Sequence, residues 1–217
     1  YEIIYDESKK KATGVKIIDS KTNLTYEFKS KIIFMCASTV PTTSILMQSK
    51  SSRFPNGLGN DNGLLGKFIA FHNYRATINA EFEGFPQYTT EGAKPTSHYI
   101  PRFRNVYRQE TDFLRGYAAG FGAQPNRETN KEGFGAELSN QLLSTKETGI
   151  WNVNSHMMGE TIPKESNLVS LDPEKTDTWG IPLLNIDVDY DDNDEKMIQD
   201  FYEQFSEMYE KSGFVNI

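Results

Sequence analysis

The chain has 217 residues, 37% of them hydrophobic and 12% aromatic, and a formal net charge of −7. That apolar share suits a folded globular protein, while the acidic balance argues against nucleic-acid binding, which needs a basic face to displace counterions from phosphates. No apolar run approaches the ~18 residues of a membrane-spanning helix. With Cys36 as the one cysteine, an internal disulfide framework and any CxxC metal site are excluded.

In chain order, "YEIIYD", "TGVKIIDS", "LTYEFKS" and "KIIFMC" are short β-rich runs, separated by the turn-forming stretches "DESKKKATG" and "DSKTN". They predict a β-meander over residues 1–34. The sequence opens at Tyr1 inside the first run and closes at Ile217 just past a helical pattern, as expected of an internal piece of a longer polypeptide. The apolar run around Cys36 makes that residue an expected core side chain. "TVPTTSILMQS" then predicts a short helix capped by Thr39, with Pro41 in its first turn and Ile45 and Leu46 packed inward.

"NGLGNDNGLLGK" (Asn56–Lys67) raises the question of a phosphate cradle. A Walker loop needs Gly five residues before the Gly-Lys pair and Ser or Thr after it; here Asp61 and Phe68 stand there. Gly57, Gly59 and Gly63 give GxGxxxG, one residue longer than a dinucleotide fingerprint. The plain expectation is a connection whose glycines and asparagines permit left-handed backbone.

A β-rich stretch follows. In "RATINAEF" (Arg75–Phe82), Ala76, Ile78, Ala80 and Phe82 alternate with polar residues, the pattern of a half-buried strand. "SHYIPRFRNVY", "FLRGYAAGFGA", "GIWNVNSHMMGE" and "IPLLNIDVDY" predict further strands, giving an antiparallel sheet of about five. The polar "QPNRETNKEGFGAELSNQLLSTKETG" is an expected surface excursion with a helical turn at "AELSNQLL". The last segment, "DDNDEKMIQDFYEQFSEMYEKSG", is the clearest helix. Asp192 and Glu195 have capping-box spacing, and Met197, Ile198, Phe201, Phe205, Met208 and Tyr209 form one apolar stripe that another element must cover. Gly213 is its stop.

Other chemistry is scarce. "DVDYDDNDE" fails as an EF-hand loop, because Asp192 and Ile198 stand where Gly and Glu are needed. His72, His98 and His156 have no metal-ligand spacing, and no GxSxG elbow is present. Arg102, Arg104 and Arg108, interleaved with aromatics, suit either an anionic or hydroxyl-rich ligand or a solvated strand face.

The order of segments points further. "KIIFMCASTVPTTSILMQS" resembles the strand-turn-helix that ends the flavin domain of glucose–methanol–choline oxidoreductases. "GLGNDNGLLGKFIAFH" resembles the linker that follows it, and "GETIPKESNLVSLDPEKTDTWGIPLLNIDVDY" the later Gly…Pro…Asn…Asp…Gly-Ile-Pro stretch. The branch it most resembles is pyranose 2-oxidase and related sugar oxidoreductases, and the resemblance covers roughly residues 1–75 and 155–217. It implies an α+β chain: an antiparallel substrate-domain sheet with helices, plus a partial FAD-binding, Rossmann-like portion. The implied domains are 1–71 (partial FAD-binding, with meander, strand, helix and linker), 72–190 (substrate-binding sheet) and 191–217 (amphipathic helix on the sheet).

The implied activity is oxidation of an alcohol or sugar hydroxyl by hydride transfer to FAD, with these residues alone lacking catalysis and most flavin affinity. Cys36, Ala37, Ser38 and Thr39 match the turn near the flavin, Ser38 standing where Gly is usual. His72 matches a His or Gln position that can face the substrate. The catalytic base is expected C-terminal to Ile217, and no metal is implied. The alternative is a non-catalytic carbohydrate-binding or interaction module whose Tyr99, Tyr117 and Trp151 stack on sugars. Localisation and oligomeric state have no signal in these residues.

Overall fold

The computed structural model describes residues 1–84, 98–125, 132–144 and 149–217. Its contacts divide into two compact units, residues 1–70 with 162–189 and residues 71–161 with 190–217. Among the described residues there are three helices, and the strands pair antiparallel, consistent with an α+β chain.

The first unit begins with β1 (Glu2–Asp6), β2 (Lys11–Ile18) and β3 (Thr25–Lys29), a meander in that spatial order, as expected. Its turns are closed by aspartates. Asp6 accepts hydrogen bonds from the Ser8 hydroxyl (2.6 Å) and the Lys9 N–H (2.9 Å), and Asp19 accepts from the Lys21 N–H at 2.8 Å. Such short side-chain loops are why Asp favours turns. They also hold the Asp6 carboxyl far below its ordinary range, the Ser8 hydroxyl being the largest cause.

The expected fourth strand does not form. Residues 31–36 pair with no strand among those described, Ile32 and Phe34 are 69% and 83% exposed, and Cys36 is exposed instead of buried. Apolar composition favours a strand only where a neighbouring ladder receives it, and β3 is an edge with no such neighbour among the described residues. α1 (Thr39–Gln48) follows as predicted, but its cap is Ser38, not Thr39, and Ile45 and Leu46 are only half-buried. It lies against β1, and the Ser49 hydroxyl fastens its end there, donating to the Ile45 carbonyl (2.6 Å) and accepting from the Ile3 N–H (2.8 Å).

The glycine loop is a connection. Gly57, Gly59, Gly63 and Gly66 all take positive φ (108°, 78°, 70° and 86°). Gly66 is also sterically required: a Cβ there would overlap the Val169 carbonyl, whose residue donates its N–H to the Gly66 carbonyl at 2.7 Å. Val169 belongs to β9 (Leu168–Thr176), which forms a two-stranded hairpin with β10 (Pro182–Asp187). The sequence reading put "IPLLNIDVDY" in the larger sheet and 72–190 in one domain, whereas residues 162–189 cluster with 1–70. The cause is local: Asn167 accepts from the Asp189 N–H (3.0 Å) and donates to its carbonyl (3.1 Å), while Leu168 bridges to Lys67.

The second unit is a five-stranded sheet of β4 (His72–Asn73), β5 (Thr77–Phe82), β6 (His98–Ile100), β7 (Tyr117–Pro125) and β8 (Trp151–Glu160). Its order is β4-β8-β7-β6, with β5 also on β8. "SHYIPRFRNVY" contributes only β6, because residues 101–116 form a loop organised by Asn105. That side chain donates to Thr111, Phe113 and Arg115 and accepts from the N–H groups of Glu110 and Thr111. The polar excursion holds a ten-residue helix, α2 (Gly135–Ser144), longer than the single turn expected.

α3 (Asp192–Lys211) covers one face of the sheet. Its capping box is one residue earlier than the spacing suggested: Asp191 caps, and Asp194 answers at the third position. The predicted stripe is the core: Met197, Phe201, Phe205 and Tyr209 are buried against Ile78, Ala80, Tyr117, Ala119, Val153 and Met157. Each such large side chain contributes about 1.5–3 kcal/mol by leaving water. Phe201 and Phe205 stack at 4.4 Å, and the Tyr209 hydroxyl meets the buried Ser155 hydroxyl at 2.7 Å, so the polar end of Tyr209 is satisfied. Gly213, at φ 79°, ends the helix as expected.

Candidate functional site

The two faces of this sheet differ because strand side chains alternate. Along β8, Val153, Ser155, Met157 and Gly159 are buried toward α3, while Asn152, Asn154, His156 and Met158 point to the other face. Cross-strand register places Thr77 opposite His156, Asn79 opposite Asn154, Gly120 opposite both His156 and Tyr99, and His72 opposite Glu160. Partners in an antiparallel ladder share a face. The face away from α3 therefore gathers His72, Thr77, Asn79, Tyr99, Asn154 and His156, with the small residues Ala118, Gly120 and Gly122 on β7.

Tyr74 joins the two histidines. Its ring is 5.5 Å from His72, edge-on, and 6.0 Å from His156 at a 33° tilt. Tyr74 is half exposed and Tyr99 is 62% exposed, so both can present ring faces to a ligand. Among the described residues neither the His72 nor the His156 ring is engaged in a hydrogen bond, while Asn154 donates to Asn79 at 2.8 Å. A surface of imidazoles, aromatic rings and carboxamides offers donors, acceptors and apolar area together, which suits a hydroxyl-bearing organic ligand.

Of the residues singled out by sequence, His72 lies on this face. His98 does not: it is opposite Phe121 on the α3 side, the two rings 6.1 Å apart. Tyr117 is buried against α3, its ring 5.7 Å from that of Phe201, and Trp151 pairs with Phe82 on the same side. Of the three aromatics proposed to stack on sugars, only Tyr99 is on the open face. Tyr74, Asn154 and Gly120 were not singled out, and His156 was weighed only as a metal ligand. The signal for Asn154 and His156 was the alternation in "NVNSHMMGE", which sets Asn152, Asn154, His156 and Met158 opposite the buried face.

Arg102, Arg104 and Arg108 each pair with a carboxylate. Arg102 pairs with Glu160 at 2.7 Å and Arg108 with Glu110 at 3.1 Å. Arg104 grips Asp200 with two bonds of 2.9 and 2.8 Å, and the Tyr117 hydroxyl donates to the same carboxylate at 2.7 Å. Burial, with the Asp200 carboxylate second, pushes the Tyr117 hydroxyl far above its ordinary range, so it stays a donor. The Asp200 hydrogen bond raises Arg104 as well. The hollow of about 390 Å³ beside them is lined by Glu110, Asp112, Lys196 and Asp200, whose charges are matched internally or by Arg104 and Arg108.

In the first unit, the Cys36–Thr39 turn starts α1. Ser38 takes φ 68° and ψ 172° and makes no side-chain cap hydrogen bond. Positive φ is a conformation glycine adopts freely and serine rarely. Cys36, Ser38 and Thr39 are exposed and Ala37 half-buried. The first N–H groups of α1 are thus not taken by the cap side chain and can meet a polar group.

No family model matches the sequence. The chain is 31% identical over 202 residues to 2-methyl-1,2-propanediol dehydrogenase of Mycolicibacterium austroafricanum, an alignment covering 85% of this chain and 34% of that protein. It therefore spans about a third of the length of this relative, which is named for oxidation of a small diol.

Proposed function

We propose that this chain is the central part of an FAD-dependent oxidoreductase of the glucose–methanol–choline type, oxidising an alcohol or sugar hydroxyl. The observation that carries the proposal is the 31% identity to a diol dehydrogenase over most of the chain. The open sheet face supports it, because His72 stands there beside Tyr74 among hydroxyl-compatible groups.

The turn at Cys36, Ala37, Ser38 and Thr39 fits a flavin edge in one respect: the N–H groups opening α1 are uncapped by a side chain, and Ser38 already adopts the backbone that a close approach by glycine would use. In this proposal those residues hold the cofactor. FAD would supply the hydride acceptor.

The chain's own part in the reaction is to bind and orient. The His72 imidazole donates or accepts a hydrogen bond to a substrate hydroxyl, and the Tyr74 ring limits the directions from which that hydroxyl can arrive. Holding one hydroxyl in a fixed geometry lowers the entropy still to be lost before the transition state. Removal of the hydroxyl proton is assigned to a base C-terminal to Ile217.

The test is His72→Ala in the protein expressed from its complete reading frame. Loss of one hydrogen bond to a neutral hydroxyl predicts about a five- to tenfold fall in kcat/KM. Unchanged kinetics with a verified alcohol substrate would remove His72 from the site.

A further inference from the structure

Gly120 has a feature that the proposed function does not use. It pairs with His156 across β7 and β8, and the imidazole lies directly over it. A Cβ at Gly120 would overlap Cε1 and Nε2 of the ring and stand 3.1 Å from Nδ1. The ring can lie there only because residue 120 has no side chain. Its backbone sets no such demand, since Gly120 is not among the glycines with positive φ. The glycine is required by the histidine above it.

His156 is also placed to act. It is half-buried, its ring nitrogens have no hydrogen-bond partner among the described residues, and Tyr74 stands between it and His72. Thr77 is opposite it on β5, and Tyr99 is opposite Gly120 on β6. An imidazole seated over a glycine, with both nitrogens uncommitted among the described residues, is a preorganised partner for a ligand hydroxyl.

We propose that His156 is a second ligand-contacting residue of the open face, and that Gly120 is the positioning residue that holds its ring. This rests on the reading of the face as an alcohol-binding wall. An alanine at 120 would not break the sheet, because the overlapping atoms are the far end of a side chain that can rotate. It would turn the imidazole away from its resting place.

The experiment is a double-mutant cycle in the protein from the complete reading frame, with Gly120→Ala, His156→Ala and the pair, and His156→Asn as a conservative variant. His156→Ala is expected to raise KM about five- to tenfold with a smaller change in kcat, and His156→Asn to recover part of that loss. Gly120→Ala is expected to raise KM in the wild-type background and to change nothing once His156 is alanine.

Carbethoxylation of histidines, read by mass spectrometry, gives a measure separate from turnover: saturating substrate should protect His156 in the wild type and not in Gly120→Ala. Additive effects, or an unchanged KM in His156→Ala, overturn the proposal while leaving the alcohol-oxidising function standing. A wild-type protein that turns over no alcohol overturns that function. If Gly120→Ala does not fold, the His156→Ala and His156→Asn comparison with the footprint decides the matter.

Discussion

Asp200 joins Arg104 and Tyr117 to α3 through one carboxylate. Its carboxylate takes two hydrogen bonds from Arg104, at 2.9 and 2.8 Å, and one from the Tyr117 hydroxyl at 2.7 Å. The side chains of Arg104 and Asp200 are 23% and 15% exposed, so the pair is neither fully buried nor freely solvated. Asp200→Asn keeps the volume and removes the charge. The Arg104 guanidinium is left without its counter-ion, and one of its donors then faces an amide N–H₂. Breaking one partner of a buried pair costs about 3–5 kcal/mol, and the residual exposure here discounts that to about 2–3 kcal/mol.

A loss of that size lowers the melting temperature by about 8–12 °C for a unit of this length. Thermal unfolding followed by circular dichroism measures it. Tyr117→Phe should cost about 1.5 kcal/mol, the low end for a hydrogen bond to a charged group, since it deletes one donor and leaves Arg104 and Asp200 paired. Because Arg104 and Tyr117 share one carboxylate, the effects of Asp200→Asn and Tyr117→Phe should be less than additive. A shift below about 1 °C for Asp200→Asn would show that the network is surface decoration. Arg108→Ala, which breaks the exposed pair with Glu110, should leave the transition unmoved.

Other expectations follow from packing and titration. Phe201→Ala removes a fully buried ring stacked on Phe205 at 4.4 Å and should cost about 3–5 kcal/mol, measured by urea unfolding. Gly159→Ala would put a Cβ 2.6 Å from the Met197 sulfur and 3.2 Å from the Met157 methyl, costing about 1–3 kcal/mol in the same assay. Alkaline pH should unfold the second unit through Tyr117. Its folded pKa is raised above the ordinary 10.0 by burial and then by Asp200, so the native state binds the proton more tightly than the unfolded chain. The stabilisation is complete below about pH 10 and declines above it by at most about 1.4 kcal/mol per pH unit. Tyr117→Phe should flatten that decline, and an unchanged alkaline slope would contradict it.

The parts of the fold that were legible in the sequence are those that local chemistry decides. The stripe from Met197 to Tyr209 has helical period and no competing pattern, so α3 and its buried face could be read directly. Aspartate turns and short β-rich runs placed the meander, and alternation in "RATINAEF" placed β5 with Ala76, Ile78 and Ala80 inward. The failures share a cause: they depend on partners far away in the chain. "KIIFMC" has strand composition, yet it remains unpaired among the described residues, and Cys36 stays exposed with it. "IPLLNIDVDY" has the alternation of a sheet strand, but Asn167 and the Gly66–Val169 contact tie its hairpin to the first unit.

The site divides the same way. His72 was reached through resemblance and is on the open face. Tyr74 was missed, and His156 was weighed only as a metal ligand, because their meaning comes from register: the pairing of β4 and β5 with β8 brings the Tyr74 ring to 5.5 and 6.0 Å from the two histidine rings. Gly120 was equally silent, since a glycine in "RGYAAGFGA" reads as a weak point in a strand until the imidazole over it is seen.

The central claim, that these residues are one wall of an alcohol-oxidising flavoenzyme, is tested most directly by anaerobic titration of the purified protein from the complete reading frame. Small diols and monosaccharides would be added while the visible absorbance is followed. The account predicts a bound flavin whose absorbance near 450 nm bleaches stoichiometrically with at least one such alcohol. A protein that purifies without flavin and takes none up, or whose flavin stays oxidised with every alcohol offered, would contradict it.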